Sequence, residues 1–454
     1  MSASLELLRA RIKNLHAIGK LSALSFSGRI YLVGGAIREL ALGRSPRDYD
    51  FALEEPYDAA KLEGLFQAKG FPLGKKPVQT LRIVAPDGVF DLTFLHNGII
   101  EDLARRDFTM NAVGYEIASG DIFDPFGGLE DIGRRLIRYP RRESLAEDPL
   151  RMLKAVRHLS TLPGFSLDQD LQGAITEKKD LIGLTAPERL KYELDLIMLS
   201  QDPYKGVATL RDTGLLFALI PELAALEQMD REKGFELETL GHTIEGFKYL
   251  ERARRFYTFE EQDVSSAAYA LLFHDLGKAY TFSYDEIKKR VHFFNHEKHS
   301  RDLAFSIMER LRFSSHEIRI ISALIEHHMR VFLISREGTT DKAIRRIVYR
   351  MEHLTPALLL LTLLDMYGSS SGEENETTAR VTERCVEALS AYDDWRRQPL
   401  PRIVNGYDLL AIGFSAGPGL GRILDNIREK QISGEITEKT AALEYARRLL
   451  EGTE

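Results

Sequence analysis

The stretch Tyr31–Leu53, YLVGGAIRELALGRSPRDYDFAL, decides how this chain is read. It is entered through an apolar run of strand composition, Ile30 to Val33. Gly34 and Gly35 follow, then Ala36 to Leu42 with Ile37, Leu40 and Ala41 at helical spacing. A loop containing Gly43, Ser45 and Pro46 leads to Asp48-Tyr49-Asp50, which opens a second apolar segment. Residues two apart on a strand share a face, so Asp48 and Asp50 aim two carboxylates at one point. The adjacent glycine turn lets phosphates approach the backbone. Two oxygen ligands on a rigid strand suit Mg²⁺, which takes carboxylates together with substrate phosphates. A G-G-x-x-R element followed by D-x-D therefore suggests phosphoryl or nucleotidyl transfer by metal clamping. A strand–turn–helix with two surface aspartates is the alternative.

Working outward, 454 residues exceed one ordinary core and predict two to four domains. Hydrophobic content of 44% and charged content of 28% are those of a soluble globular protein. The richest apolar run, Ala357 to Leu364, is too short for a membrane span, so no membrane partner is expected. The amphipathic N-terminus lacks a signal-peptide core. The single cysteine, Cys385, precludes an internal disulfide and fits a reducing, cytoplasmic setting, with a packed thiol on a helix. Net charge is −7, which does not announce a nucleic-acid binder. The charge is uneven, however. Arg134, Arg135, Arg138, Arg141 and Arg142 cluster, and Arg151, Lys154 and Arg157 follow at helical spacing. Such a stripe is either a grip on a phosphate backbone or a solvated helix face.

Residues 1–25 read as one amphipathic helix, and 26 to about 140 mix β and α. Leu81–Val84 and Val89–Phe94, separated by Pro86-Asp87-Gly88, read as a hairpin. It places Asp91 on a strand, either as a third carboxylate beside Asp48 and Asp50 or as a hairpin-edge residue. In Glu101–Asn111, Arg105, Arg106 and Asp107 lie beside apolar positions. Charges there need partners, supplied by a structural Arg–Asp pair or by a nucleotide's ribose and phosphates. Asp121–Asp131 carries the turn Pro-Phe-Gly-Gly and reads as a hinge. From about 144 the pattern turns helical. Asp148 and Arg151 share one face of a helix whose first turn holds Pro149. They form an ordinary helix-start ion pair, or they imitate a Watson–Crick edge toward a base. Helices are expected at about 167–178, 186–200 and 203–218, with a junction from Pro221 to Glu238. Ser369 to Thr378 reads as a mobile acidic linker. Gly417-x-Gly419-x-Gly421 has no βαβ context and is read as part of a helix–loop–helix.

The second half carries a separate set: His242, His274-Asp275, His296, His299, His327-His328 and Asp365. One histidine alone is more often a hydrogen-bonded core or surface residue than a ligand. Several helices each offering one or two such groups can enclose a metal pair, which hydrolyses phosphate esters by activating water.

With these residues in place, the chain resembles the bacterial class II tRNA nucleotidyltransferase and poly(A) polymerase family, followed by an HD domain of the metal-dependent phosphohydrolase type. LVGGAIRELALGR and RDYD resemble its first motif, which implies that Asp48 and Asp50 bind the catalytic metals, while Gly34, Gly35 and Arg38 hold the triphosphate. DLARRDFTMNA resembles the second motif and implies that Arg106, Asp107 and Asn111 shape the ribose pocket. DPFGGLEDIGRRLIR resembles the hinge, and EDPLRMLKAVR the base-selecting motif. The latter puts Asp148 and Arg151 against the base edge, with Arg157 on the same nucleotide-binding helix. LTAPERLKYEL resembles the buttressing helix, with Glu188 and Arg189 in support, and GYDLLAIGF with GPGLGRIL resembles a tRNA anchor. His242, His274, Asp275 and Asp365 match the HD ligand pattern, and His296 and His328 match the extra positions of two-metal members. His328 is preferred to His327 because it precedes Met329-Arg330; His299 has no counterpart. Two departures are Phe51-Ala52-Leu53 after the second aspartate, where a threonine is common, and Glu39 where aspartate is commoner.

The resemblance implies an α+β fold: an N-terminal nucleotidyltransferase head with a small mixed β-sheet and helices, an all-α neck and body, and an all-α HD domain. The expected divisions are an N-terminal helix (1–25), the head (26–140), a helical RNA-binding neck (141–238), the HD domain (239–370) and a helical tRNA-anchoring tail (371–454). It implies template-independent addition of CMP and AMP, CCA or part of it, to the 3′ end of tRNA from CTP and ATP. Mg²⁺ is expected at the transferase site and a divalent metal (Mg²⁺, Mn²⁺, Ni²⁺ or Fe²⁺) at the HD site. The rivals are a poly(A) polymerase, a CC-only or A-only enzyme, and an HD phosphohydrolase whose N-terminal half only binds RNA. Oligomeric state is not legible in the sequence.

Overall fold

A computed structural model describes residues 2–23, 28–54, 58–73, 80–95, 97–233, 238–335 and 341–450. The chain divides into two compact units, Met1–Leu219 and Ile220–Glu454.

The first unit is built on a seven-stranded sheet. Its strands are β1 (Ile30–Val33), β2 (Asp48–Leu53), β3 (Gly70–Leu73), β4 (Thr80–Ala85), β5 (Gly88–Phe94), β6 (Gly114–Glu116) and β7 (Ile122–Phe123). Their spatial order is β3-β4-β5-β2-β1-β6-β7, with β2 and β5 parallel and the other pairs antiparallel, so the sheet is mixed. Alternation along the strands sorts the side chains onto two faces. Leu32, Phe51, Leu53, Phe90 and Leu92 join the larger core with Ile12, Ile18, Leu21, Ile37 and Phe66. Tyr31, Val33 and Ala52 join a smaller core with Ile99 and Leu103. Burying each of the larger side chains contributes about 1.5–3 kcal/mol, and this holds the strand register. By the same alternation Asp48, Asp50 and Asp91 belong to the smaller core's face. β2 enters the sheet with Asp48 exposed and Asp50 half-buried, then turns wholly apolar. The carboxylates therefore stand at the mouth of the strand while Phe51–Leu53 fix it in place.

Several local expectations need correction. The N-terminal segment is two helices, Ser2–Lys13 and His16–Ser22, broken where Leu15 is extended (φ −69°, ψ 131°); 24 and 25 lie outside the described residues. The helix expected over 203–218 is split into Pro203–Asp212 and Leu215–Leu219 by the left-handed Gly214. The helical part of this unit also holds a short parallel pair, β8 (Leu136–Ile137) with β9 (Ser166–Leu167). The helices Leu150–Thr161 and Pro187–Met198 pack together beyond it.

The second unit is helical. Its centre is Thr355–Ser369, buried from Thr355 to Gly368 and surrounded by helices Thr239–Gly246, Glu261–Phe273 and Glu376–Arg397. Of the junction expected over Pro221–Glu238, Glu222–Lys233 is a helix and 234–237 lie outside the described residues. A hairpin, β10 (Phe282–Asp285) with β11 (Arg290–Phe293), interrupts the helices. Ser369–Thr378 is not a free linker. Arg252 donates to the Gly372 carbonyl (3.0 Å) and pairs with Glu374 (2.6 Å). Asn375 and Thr378 cap the next helix reciprocally, at 3.0 and 2.9 Å. The tail has a small core of its own around Val404, Leu409, Ile427 and Tyr445. Cys385 is fully buried, and burial pushes its thiol up to about 12, so it is the packed thiol expected.

Two close approaches draw the histidine set together. A Cβ on Gly368 would lie 2.3 Å from the His242 carbonyl, so only glycine lets helix 239–246 cross helix 355–369 there. A Cβ on Gly277 would lie 2.3 Å from the His296 carbonyl, and Gly277 N–H donates to Ser300 Oγ at 2.8 Å. Gly368→Ala should force these helices apart, costing about 1–3 kcal/mol as overpacking does. A lowered Tm and a reduced metal content, measured by calorimetry and elemental analysis of the purified protein, check this.

Candidate nucleotide-transfer and metal sites

In the first unit, Asp50 and Asp91 are register partners on the parallel pair β2–β5. Asp48 lies two residues before Asp50 on the same face. Gly34 adopts φ +79°, and a Cβ there would fall 2.5 Å from Arg106 Nη1 and 2.8 Å from Asp50 Oδ2. The glycine turn and the carboxylates are thus direct neighbours. Burial raises the Asp50 carboxyl above its ordinary range, and the Arg106 guanidinium, 3.6 Å away, opposes that.

Asp91 is engaged. Arg82, its register partner on β4, donates Nε to Oδ1 at 2.8 Å and Nη2 to Oδ2 at 2.6 Å. This bidentate pair neutralises a carboxylate that would otherwise face Asp50 as a like charge. The sequence reading did not single out Arg82; the opposed hairpin positions were its only signal.

Arg106 also donates to Asp102 Oδ2 at 3.1 and 3.2 Å, so it lies between two carboxylates. Beside it runs a hydrogen-bonded chain. Arg38 Nη1 donates to Asn111 Oδ1 (2.7 Å), and Asn111 Nδ2 donates to Asp107 Oδ1 (2.8 Å). Asp107 is held below the usual carboxylate range: burial pushes it up, but Lys154, Asn111 and the Phe108 N–H outweigh that. Arg151 Nη2 donates to the Arg105 carbonyl at 2.6 Å, and Asp148 accepts from Arg189 Nη2 at 3.1 Å. Asp148 and Arg151 therefore each hold another group instead of forming the helix-start pair that the sequence also allowed. Arg157 faces elsewhere, donating Nε to the buried Glu193 at 2.7 Å. It braces two helices and is not brought to the carboxylates.

In the second unit, His242, His274, Asp275, His296, His328 and Asp365 converge. His242 Nε2 lies 3.0 Å from Asp275 Oδ2 and 3.7 Å from Asp365 Oδ1. His274 Nε2 lies 3.3 and 3.4 Å from the same two atoms. His296 Nε2 is 3.2 Å from His328 Nε2 and 3.5 Å from Asp275 Oδ1. Each of the four imidazoles turns Nδ1 to a backbone carbonyl: Glu238 (3.1 Å), Leu271 (2.7 Å), Phe293 (3.0 Å) and Ile325 (2.6 Å). A carbonyl cannot donate, so Nδ1 carries the hydrogen and every Nε2 faces inward. This is the orientation of metal-ligating histidine. Asp275 Oδ1 is buried with no hydrogen-bond partner among the described residues. Two overlapping groups, His242/His274/Asp365 and His274/Asp275/His328, have ligand atoms within 4.8 Å of one another. The residues thus fit a cation.

Burial pushes His274 down, but Asp275 and Asp365 together outweigh it and raise it to about 10. Burial and the His274 charge push His328 down to about 3. Lys278, 2.6 Å from Asp275 Oδ2, was not singled out by the sequence reading. Its signal was position, three residues after Asp275 in a turn. His299 is exposed and stands apart.

Comparison with known proteins places this geometry. The family models described as Poly A polymerase head domain, Probable RNA and SrmB-binding site of polymerase A, and HD domain match residues 74–138, 164–227 and 239–367. The CC-adding tRNA nucleotidyltransferase of Thermus thermophilus is 32% identical over 420 residues, covering 90% of this chain and 91% of that protein. The A-adding tRNA nucleotidyltransferase of Deinococcus radiodurans is 29% identical over 430 residues, covering 93% and 96%. The solved Thermotoga maritima CCA-adding enzyme complexed with tRNA shares the fold, with a TM-score of 0.59 at 18% identity, covering 98% of this chain and 95% of that one. The chain belongs to the tRNA nucleotidyltransferase and poly(A) polymerase family, and it is an enzyme. Its head and HD domain both imply dependence on divalent metal.

Gly34→Ala should displace Arg106 and Asp50 from each other. Such misplacement lowers transfer by about a hundredfold. Nucleotide incorporation measured beside an unchanged circular dichroism spectrum checks it.

Proposed function

We propose that this enzyme adds CMP and AMP residues, the CCA end or part of it, to the 3′ end of tRNA, using CTP and ATP and releasing pyrophosphate without a template. The observation that carries the reading is the continuity of one turn: the Arg106 guanidinium stands 3.6 Å from Asp50, and Arg151 donates to the carbonyl of the neighbouring Arg105 at 2.6 Å, which would join metal carboxylate, ribose- and phosphate-facing guanidinium and base reader. The names of the two relatives, one CC-adding and one A-adding, support the same chemistry. The rival in which the N-terminal half only binds RNA finds no support among them.

Asp48 and Asp50 would hold Mg²⁺, whose chemistry there is to neutralise the triphosphate and acidify the attacking hydroxyl. The 3′-oxygen of the RNA bonds to the α-phosphorus, the bond to the β-phosphate breaks, and pyrophosphate leaves. Asp91 stands by as a third carboxylate with its charge balanced by Arg82. Gly34 and Gly35 admit the phosphates, while Arg38 and Arg106 face them. Asp107 and Asn111 shape the ribose side. Asp148 and Arg151 present an acceptor and donors to the base edge, released from Arg189 and the Arg105 carbonyl when a base takes their place. The helical neck (141–238) and tail (371–454) would hold the tRNA by shape and phosphate contacts.

A second activity is favoured by the histidine cluster. Four inward Nε2 atoms and two carboxylates form a mixed N/O set that suits Mn²⁺, Fe²⁺ or Ni²⁺ better than Mg²⁺, consistent with a phosphohydrolase in the HD domain (239–370).

Asp50→Ala should abolish incorporation of labelled CTP or ATP into tRNA and leave phosphoester hydrolysis intact; His274→Ala should do the reverse. Near-normal incorporation by Asp50→Ala would sink the transferase assignment. Arg151→Ala should relax CTP/ATP discrimination more than it weakens RNA binding; unchanged discrimination counts against base reading. Supplying tRNAs that end before C, after CC, or complete, with each NTP separately, identifies which residues are added.

A further inference from the structure

A second concentration of charge lies where three helices of the second unit meet. Arg330 is on Met329–Ile334, Arg346 and Arg350 are one turn apart on Asp341–Met351, and Glu429 is on Pro418–Ile432. All four line one cavity of about 220 Å³, floored by Ile347 and Met351. Arg346 donates Nε and Nη2 to Glu429 Oε2 at 3.0 and 2.7 Å. Arg350 Nη1 stands 3.5 Å from Glu429 Oε1. Arg330 has no ion-pair partner among the described residues.

The plain alternative is a tie between the helix of Glu429 and the helix of Arg346. One arginine is enough for that tie. Three guanidiniums against one carboxylate leave two positive charges in excess, and gathering like charges over an apolar floor is unfavourable unless an anion joins them. Guanidinium forks match the oxygens of phosphate, and Arg346 and Arg350 keep about half of their side-chain surface exposed, 58% and 49%. The cavity therefore admits a phosphoryl group from solvent. Close by, His327 Nδ1 is buried with no hydrogen-bond partner among the described residues, so a further polar atom in this region is unsatisfied.

We propose that Arg330, Arg346 and Arg350 form a phosphoryl-binding site, occupied by a backbone phosphodiester of RNA, with Glu429 holding the place of that anion until it binds. The choice of RNA as the source rests on the transferase reading; the phosphoryl site itself rests only on the residues above. It would give the second unit its own hold on RNA, independent of the transfer chemistry.

The test uses the full-length protein. Binding of tRNA is measured by fluorescence anisotropy over a salt series for wild type, for Arg330→Gln/Arg350→Gln, and for Glu429→Gln. Each phosphate contact contributes about 0.7–0.9 to the slope of log K against log salt. The double variant should lose about one such increment and bind about tenfold more weakly at low salt. Glu429→Gln should bind several-fold more tightly, the opposite of what loss of a merely structural tie would do. Inorganic phosphate is titrated calorimetrically in parallel. Phosphate binding that is lost in the double variant, with an unchanged RNA slope, supports the phosphoryl site and assigns it to a free anion. Unchanged slope together with no phosphate binding overturns the proposal, as does weaker binding by Glu429→Gln with a lowered Tm. Incorporation of CTP and ATP by wild type is assayed alongside. If wild type incorporates nothing, the transferase reading fails while the phosphate titration still judges this site.

Discussion

The guanidinium of Arg106 lies between Asp102 and Asp50, and the transfer site depends on that arrangement. A carboxylate at the mouth of a buried strand is costly to keep ionised, and burial does raise Asp50. Asp102 fixes the arginine from one side, so its charge is present before any ligand arrives. The same turn offers its Arg105 carbonyl to Arg151, which couples the position of that arginine to the position of the carboxylate. Gly34 completes the constraint, since no side chain fits between Arg106 and Asp50. Each motif in the head is thus one face of a single packed junction.

Much of this junction was legible in the sequence because it obeys short-range rules. Asp48 and Asp50 share a face because strands alternate, and the apolar residues after them left no doubt of the strand. Hairpin signals around Pro86-Asp87-Gly88 brought Asp91 to the sheet. The bidentate grip of Arg82 on Asp91 was not legible, since it depends on which residues stand opposite across β4 and β5. The contact of Arg157 was not legible for a related reason. It shares a helix with Arg151, but its partner Glu193 lies on another helix, and only tertiary packing decides which neighbour each side of a helix meets. The Ser-Gly-Glu composition of residues 369–378 suggested mobility, yet Arg252 and an Asn375–Thr378 cap pin that turn from outside the segment.

The histidine set shows a different division. Residue identity and the family pattern named the residues of the set, but their convergence rests on glycines that carry no chemistry. Gly368 and Gly277 let backbones approach so closely that a single methyl group would separate the elements. Lys278 was overlooked because a lysine one turn after an aspartate is ordinarily a surface pair; here its carboxylate partner is buried at the centre of the cluster.

The inward tautomers of that cluster have a consequence for when it can be loaded. Burial pushes His274 down, but Asp275 and Asp365, 3.3 and 3.4 Å from its Nε2, raise it to about 10. A cation bound by this set would take deprotonated Nε2 atoms as ligands, so its binding would compete with protons there. The imidazoles need no ring flip, because Leu271, Ile325, Phe293 and Glu238 already hold them. The second unit thus presents imidazole nitrogens beside its carboxylates, while Asp48 and Asp50 of the first unit present oxygen alone. One chain carries two acidic clusters that differ in the donor atoms they would offer a cation.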